Sequence, residues 1–418
     1  MLATLLGDTR WLQALSESQP KVAELLSRTE EQQKHSGYFH TLREICQQPV
    51  TWLNTAQQMI AAAPKLREFT SGIRAVVLTG SGSSEFAGDC VRMGLRRELG
   101  ITTAVVGGGT LLTCGEESLP PERPLLIISL ARSGDSPESA GALSRLLTPD
   151  IRHLVLTCNE RGRLAEAFKA DPSVHVISLD DATNDRSLVM TSSFTNLVLA
   201  AGFLGCMRAV ERYREISGKL SETGKDFLRT HLGALSAVAK SGFRRAIYLG
   251  TGAQFGVARE SALKMLEMTA GSVATLCDSY LAFRHGPMSF AHSDTLFVCF
   301  LSCDPLLRAY ESDLLAELND KELGLMKVIV GENVPRKLAA KDDVILECPG
   351  LSQLSDDHVA VIHVMAGQLL AFFRCLEEGL RPDSPSEDGV INRVVQSFRL
   401  HLPARGEDES KQDGRAGV

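Results

Sequence analysis

The sequence contains no apolar run approaching the roughly 18 residues needed to span a bilayer, so no transmembrane segment is expected. Its first residues, MLATLLGDTRWLQ, carry Asp8 early and no basic start ahead of an apolar core, so no signal peptide is expected either. Ten cysteines are scattered singly, without a CxxC pair; Cys299 and Cys303 are the nearest two. In a chain this long, that scatter reads as buried thiols in a reducing, cytoplasmic setting. The ten histidines form neither HxH nor HExxH, and a metal site is not expected. An excess of positive charge is missing too. The formal net charge of −7 argues against a nucleic-acid surface while leaving room for a local basic pocket that takes an anionic metabolite.

What is present is a soluble globular composition, 44% hydrophobic and 23% charged, over 418 residues. That length exceeds one ordinary core, so two domains are expected. Residues 1 to about 70 read as helical. Short apolar runs then alternate with helix-length amphipathic stretches, the pattern of βαβ units in a parallel sheet. RAVVLTG (74–80), TTAVVGG (102–108), PLLIISLA (124–131), IRHLVLTC (151–158) and SVHVISL (173–179) read as strands, and a helical stretch from Thr191 closes this half near Ile216.

The second half replays that order. RAIYLGTGAQFG from Arg245 matches the layout of RAVVLTGSGSSEF from Arg74, then come DTLFVCFLS (294–302), KVIVG (327–331), DVILECPG (343–350) and a closing helix from His358. Two copies of about 150 residues predict an α/β protein of two tandem domains, each a doubly wound, mainly parallel sheet flanked by helices. The expected organisation is a helical segment over 1–45, domains over 46–216 and 225–400, and a polar linker around Gly218 to Lys225. A charged tail, 401–418, is expected to lack fixed structure.

VVLTGSGSSEFAGDC (76–90) leaves a strand through a Gly/Ser turn into a helix, where α/β proteins hold phosphate. A nucleotide P-loop would need a lysine after the turn, and a dinucleotide fingerprint a third glycine; neither is there. IISLARSGDSPESAGAL (127–143) is a second such strand end, with Ser136 placed to cap a helix and Pro137 at its first position. Serines in one such loop serve most often as caps and turn formers. Two parallel loops opening on one sheet edge favour a phosphate cradle built from Ser83, Ser84, Ser133 and Ser136 with free N–H groups. Arg132, in the second loop, is counted with the substrate-binding residues. Such a cradle suits a phosphate monoester without magnesium, and no cofactor is expected.

TGSGSS and ISLARSGDSPES resemble the loops of the sugar isomerase (SIS) domain, and the doubled layout is similar to the isomerase half of glucosamine-6-phosphate synthase over about residues 40–400. ARSGDSPES together with HGPM resembles the galactosamine-6-phosphate deaminase/isomerase family, formerly labelled tagatose-6-phosphate ketose/aldose isomerase. Only some 40 residues precede the resemblance, too few for the glutaminase domain a synthase uses, which points to the deaminase.

An aldose–ketose shift on an amino sugar phosphate needs a ring opener, a base that carries a proton between C2 and C1, and an electrostatic partner for the intermediate. Water then hydrolyses the C2 ketimine and releases ammonia. In ARESALKMLEM, Glu260, Lys264 and Glu267 share one helix face, a pattern that is often only a solvated stripe. The resemblance implies that Glu267 is the proton-shuttling base, with Lys264 beside the substrate and Glu260 assisting. It implies equally that His285, in FRHGPM, opens the ring and reaches the site from a neighbouring subunit of a homodimer or larger assembly, with Arg284 keeping the basic character there. On its own, a loop histidine with a reference pKa of about 6.5 suits that proton transfer, though a lone histidine is more often structural. VMTSSFTN resembles the segment that contacts the sugar hydroxyls through its backbone and a hydroxyl, which points to Val189 and Thr191.

The relative's C-terminal active-site lysine has no match in INRVVQSFRLH, so its role is vacant or falls to Arg393. Glu85, beside the first turn, is a candidate contact to the sugar amino group or to a residue holding it. The expected reaction is D-galactosamine 6-phosphate to D-tagatose 6-phosphate and ammonia. The rivals are an isomerase on a neutral hexose phosphate and a non-catalytic sugar-phosphate sensor; no helix-turn-helix or basic N-terminal segment supports the sensor.

Overall fold

The computed structural model describes residue 17 and residues 19–386, 388–394 and 399–401. The tail expected over 401–418 lies, apart from His401, outside the described residues, as do residues 1–16. Helices Pro20–Ser27 (α1), Glu30–His35 (α2) and Phe39–Phe69 (α3) lead into the first sheet. The boundary expected between residues 45 and 46 falls inside α3, which runs across it unbroken.

The first half then alternates strand and helix: Ala75–Thr79 (β1), Ser83–Leu99 (α4), Thr102–Val105 (β2), Gly108–Cys114 (α5), Leu125–Ala131 (β3), Pro137–Arg145 (α6), Ile151–Thr157 (β4), Arg163–Phe168 (α7), Val174–Ser178 (β5) and Ser192–Cys206 (α8). A long helix, Val210–Ala239 (α9), leads to the second half. There Arg245–Leu249 (β6), Ala253–Met268 (α10), Ala274–Asp278 (β7), Tyr280–Phe283 (α11), Thr295–Phe300 (β8), Pro305–Asp320 (α12), Met326–Gly331 (β9), Val344–Glu347 (β10) and Asp356–Glu377 (α13) follow. Every strand pairing is parallel, and the sheet orders are β2-β1-β3-β4-β5 and β10-β9-β8-β6-β7. Counted from each first strand, both orders read 2-1-3-4-5.

Parallel strands are covered on both faces, which is why they read as unbroken apolar runs. Val76 and Leu78 of β1 turn inward, while Ala75 and Val77 turn to the outer layer with Leu111 and Leu112. The inward faces of both sheets close on one continuous core that includes α3, α4, α8, α9, α10 and α13. One run does reach membrane-spanning length, contrary to the expectation from the sequence: α13 is long and apolar enough to cross a membrane, but 89% of its apolar window is buried inside the protein, as in a core helix.

Three further expectations are corrected. The stretch from Gly218 to Lys225 is no linker but the interior of α9. Its small and polar residues are those of a close helix contact: a Cβ on Gly224 would lie 2.7 Å from the Trp52 ring, and Ser221 Oγ donates to the Pro49 carbonyl at 2.6 Å. The closing helix of the first half breaks at Met207–Ala209 into α8 and α9. Strand β7 has no counterpart among the apolar runs, because it is an edge strand with no fully buried residue.

Candidate active site

In a 2-1-3-4-5 sheet the chain reverses its direction of travel between the first and third strands, and the gap at their carboxyl ends accepts ligands. Here β1 ends in Gly80–Gly82 before α4, and β3 ends in Arg132–Ser136 before α6. Gly82 adopts φ 56°, ψ −125°, a conformation open only to glycine, and turns the chain so that Ser83 and Ser84 begin α4. A cleft of about 290 Å³ opens there, lined by both loops, by Leu188 and Met190, by Lys264 and Glu267 of α10, and by Ile391–Arg393. Ser83, Ser84, Ser133 and Ser136 of the first half and Lys264 and Glu267 of the second therefore share one cavity.

Ser136 occupies the N-cap of α6 with Pro137 next, yet its side chain makes no capping bond. Its hydroxyl and the Glu138 N–H are thus left for a ligand, since Pro137 has no N–H and Ser139 N donates to the Ser136 carbonyl at 3.2 Å. Asp135 is turned away, its Oδ1 accepting from Arg163 N at 3.0 Å at the start of α7. Ser84 Oγ lies 3.9 Å from Met190 Sδ, and Ser83 Oγ accepts a hydrogen bond from Lys264 Nζ at 3.1 Å.

Lys264 is fully buried, flanked by Glu260 Oε1 at 3.4 Å and in direct contact with Glu267 Oε2. Burial alone would lower the lysine's pKa, but the two carboxylates outweigh it and raise it. Glu260, wholly inside, is pushed up to about 7 by burial, against the pull of Lys264. Glu267 is the one of the two acids that reaches the cleft. A carboxylate with a buried ammonium behind it is arranged to move a proton on a bound molecule and to steady the charge that develops.

The walls are basic. Arg132 donates through Nη1 to the Leu188 carbonyl at 2.8 Å and through Nη2 to the Arg393 carbonyl at 2.7 Å. Arg393 in turn donates to the Asp185 carbonyl and to Asn184 Oδ1, both at 2.6 Å through Nη2. Burial first, then the Arg393 charge, lowers the pKa of Arg132.

Known proteins are similar to this chain in sequence and fold. No family model matches the chain. A relative from Streptomyces coelicolor is 38% identical over 374 residues, covering 87% of this chain and 95% of its own. D-galactosamine-6-phosphate deaminase AgaS of Escherichia coli O157:H7 is 33% identical over 372 residues, covering 86% of this chain and 95% of the relative. The crystal structure of tagatose-6-phosphate ketose/aldose isomerase from Escherichia coli superposes with a TM-score of 0.78 at 31% identity, covering 87% of this chain and 96% of that one. The chain belongs to the AgaS family. Its fold, two parallel five-stranded sheets flanked by helices, is that of the sugar isomerase type.

Not every expected residue of this AgaS family member reaches the cleft. Ser83, Ser84, Arg132, Ser133, Ser136, Lys264, Glu267 and Arg393 do. Val189 and Thr191 do not. The Val189 side chain is buried and its carbonyl accepts from Ser187 Oγ at 3.1 Å. Thr191 is pinned by Asp185, whose carboxylate also accepts from Ser192 N at 3.1 Å and Ser193 N at 2.9 Å and so closes the N-terminus of α8. Their neighbours Leu188 and Met190 form the wall instead. Glu85 is also absent from the lining and pairs with Arg259 at 3.1 Å.

His285 stands exposed on the turn after α11, outside the cleft of its own chain, and Arg284 Nε is held by Glu317 Oε2 at 2.7 Å. Sequence reading missed the buried props behind the wall. Glu44 accepts from the Arg186 and Ser187 amides, and burial with the nearby Asp185 charge pushes it up to about 8. Nothing in the local sequence around Glu44 marks it, because its partners lie more than 140 positions away.

Proposed function

We propose that this protein converts an amino sugar 6-phosphate, D-galactosamine 6-phosphate, to D-tagatose 6-phosphate and ammonia. The observation that carries the reading is the Lys264–Glu267 pair brought beside Ser83, so that a proton-transfer group and a phosphate cradle face one cleft. The phosphate would sit on Ser83, Ser84, Ser133 and Ser136, with Arg132 and Arg393 adding positive charge. His285 of a second copy would give a proton to the ring oxygen while the anomeric hydroxyl loses one, opening the ring. Glu267 then takes the C2 proton as the C1 oxygen gains one, and delivers it to C1 as the amino nitrogen gives one up, with Lys264 steadying the enolamine between. The product ketimine reacts with water at C2, forming the ketone and expelling ammonia. These steps are proton transfers and one hydrolysis, so the reading calls on no cofactor.

His285 outside its own cleft supports an assembly of at least two copies. The ten cysteines, all unpaired, support a reducing, cytoplasmic setting. The names of the AgaS relatives support the substrate. The deciding experiment measures ammonia released from galactosamine 6-phosphate and from glucosamine 6-phosphate, alongside isomerisation of galactose 6-phosphate. Fastest ammonia release from the galacto sugar is expected. Isomerisation of galactose 6-phosphate with no ammonia from either amino sugar would replace the reading with a plain isomerase.

A further inference from the structure

The two parts of the cleft ride on different helices: α4 presents Ser83 and Ser84 at its first turn, and α10 presents Lys264 and Glu267. Where the helices cross they touch backbone to backbone. A Cβ on Gly256 would fall 2.7 Å from Cys90 Sγ and 2.9 Å from the Phe86 carbonyl. One turn beyond that crossing, Arg259 reaches from α10 to α4. Its Nη2 donates to Glu85 Oε1 at 3.1 Å, its Nη1 donates to Asp89 Oδ2, and its guanidinium carbon lies 4.0 Å over the Phe86 ring.

None of these four side chains lines the cleft. The pairs are also part-exposed, at 28% for Arg259 and 26% for Glu85, and ion pairs in that setting add little to stability. What the contact does set is the rotation and spacing of α4 against α10. A planar fork with a stacking face suits the task, and an ammonium cannot reproduce it.

We propose that Arg259 is a positioning residue that fixes the distance between the phosphate-holding serines and the Lys264–Glu267 pair. The inference rests on the proposed reaction for its substrate, and its test separates the two. Inorganic phosphate would meet the first-half loops with Arg132 and Arg393, whereas galactosamine 6-phosphate must reach from there to Glu267. Arg259→Met is expected to lower kcat for ammonia release about ten- to a hundredfold, as a displacement near 1 Å does, and to weaken galactosamine 6-phosphate binding in calorimetry. The dissociation constant for inorganic phosphate should stay within about twofold of wild type, since the cradle itself is untouched.

Arg259→Lys should recover part of kcat. Glu85→Gln and Asp89→Asn, each removing one arm, should show the same split more weakly and keep the test alive if Arg259→Met folds poorly. Wild-type kcat and sugar-phosphate affinity in Arg259→Met would overturn the proposal. So would a joint fall of kcat, phosphate affinity and Tm, which would make Arg259 merely structural. If the wild-type protein releases no ammonia, the reaction assignment fails, and the two binding measurements still decide for or against Arg259.

Discussion

Both sheets reverse direction at equivalent places, between β1 and β3 in the first half and between β6 and β8 in the second. The turns that follow β1 and β6 are the same turn: Gly82 at φ 56°, ψ −125° and Gly252 at φ 61°, ψ −122°. Beyond them the halves part. Ser83 and Ser84 follow Gly82, but Ala253 and Gln254 follow Gly252. After the third strand, Ser136 leaves the N-terminus of α6 open, while Asp304 closes that of α12 by accepting from Leu306 N at 2.8 Å and Leu307 N at 3.1 Å. Glu311 accepts from Ser302 N at 2.8 Å, and Asp356 from Cys303 N at 2.6 Å. Donors that would meet a phosphate in the first half meet the protein's own carboxylates in the second. Under the proposed reading, one fold carries an open anion site and a self-filled one, and the side chains at a few loop positions decide which.

The largest expected effects come from the groups that cross between the halves. Glu267→Gln should lower kcat about a thousandfold, the scale of a lost general base, while inorganic phosphate binds as before. Full turnover in that variant would remove Glu267 as the base. His285→Ala should be comparably inactive on its own. If two copies share their sites, mixing it with Glu267→Gln restores activity to about a quarter of the sites, the share that statistical C2 dimers rebuild. No recovery on mixing would confine each site to one chain.

How much of this was legible follows from where the information lies. Strands β1, β3, β6 and β8 were readable because buried parallel strands are short unbroken apolar runs, and both serine loops because turn and cap chemistry is local. Glu260, Lys264 and Glu267 could be placed on one face from helical spacing alone. The edge strand β7 was invisible, since partial burial leaves no run of apolar residues. The Gly218–Lys225 segment misled because glycine and serine also serve close helix contacts, here against Trp52. That Leu188 and Met190, the neighbours of Val189 and Thr191, line the cleft was not legible, because which of two neighbouring residues faces it depends on Asp185 and Glu44, contacts that sequence spacing does not encode.

The self-filled site carries a cost that pH can expose. Burial pushes Glu311 up to about 7 from an ordinary 4.5. Between those values the folded protein holds a proton that the unfolded chain has released. The stability from neutral Glu311 is therefore full below about pH 4.5 and is lost as pH rises through 7, on the order of 3 kcal/mol in all. Glu311→Gln keeps an oxygen for Ser302 N and cannot ionise, so its Tm should fall less between pH 5 and 8 than the wild type's. Glu260, also near 7, contributes the same sign and leaves part of the decline in place. Calorimetric Tm curves of identical pH slope would show that Glu311 is not the group responsible.

The smallest effects make the sharpest contrast between the halves, because they compare matched positions. Ser136 and Asp304 are both N-caps followed by proline. Ser136→Ala removes a hydroxyl that satisfies no helix N–H, so Tm should hardly move, while the KM for the sugar phosphate rises about tenfold for one lost bond to a charged group. Asp304→Ala removes two accepted bonds at a helix start, so it should cost about 1 kcal/mol of stability and leave KM and kcat unchanged. Thermal melts and steady-state kinetics on the two variants decide the matter. A KM effect from Asp304→Ala, or a loss of Tm with wild-type KM from Ser136→Ala, would mean that the open and self-filled sites had been assigned to the wrong halves.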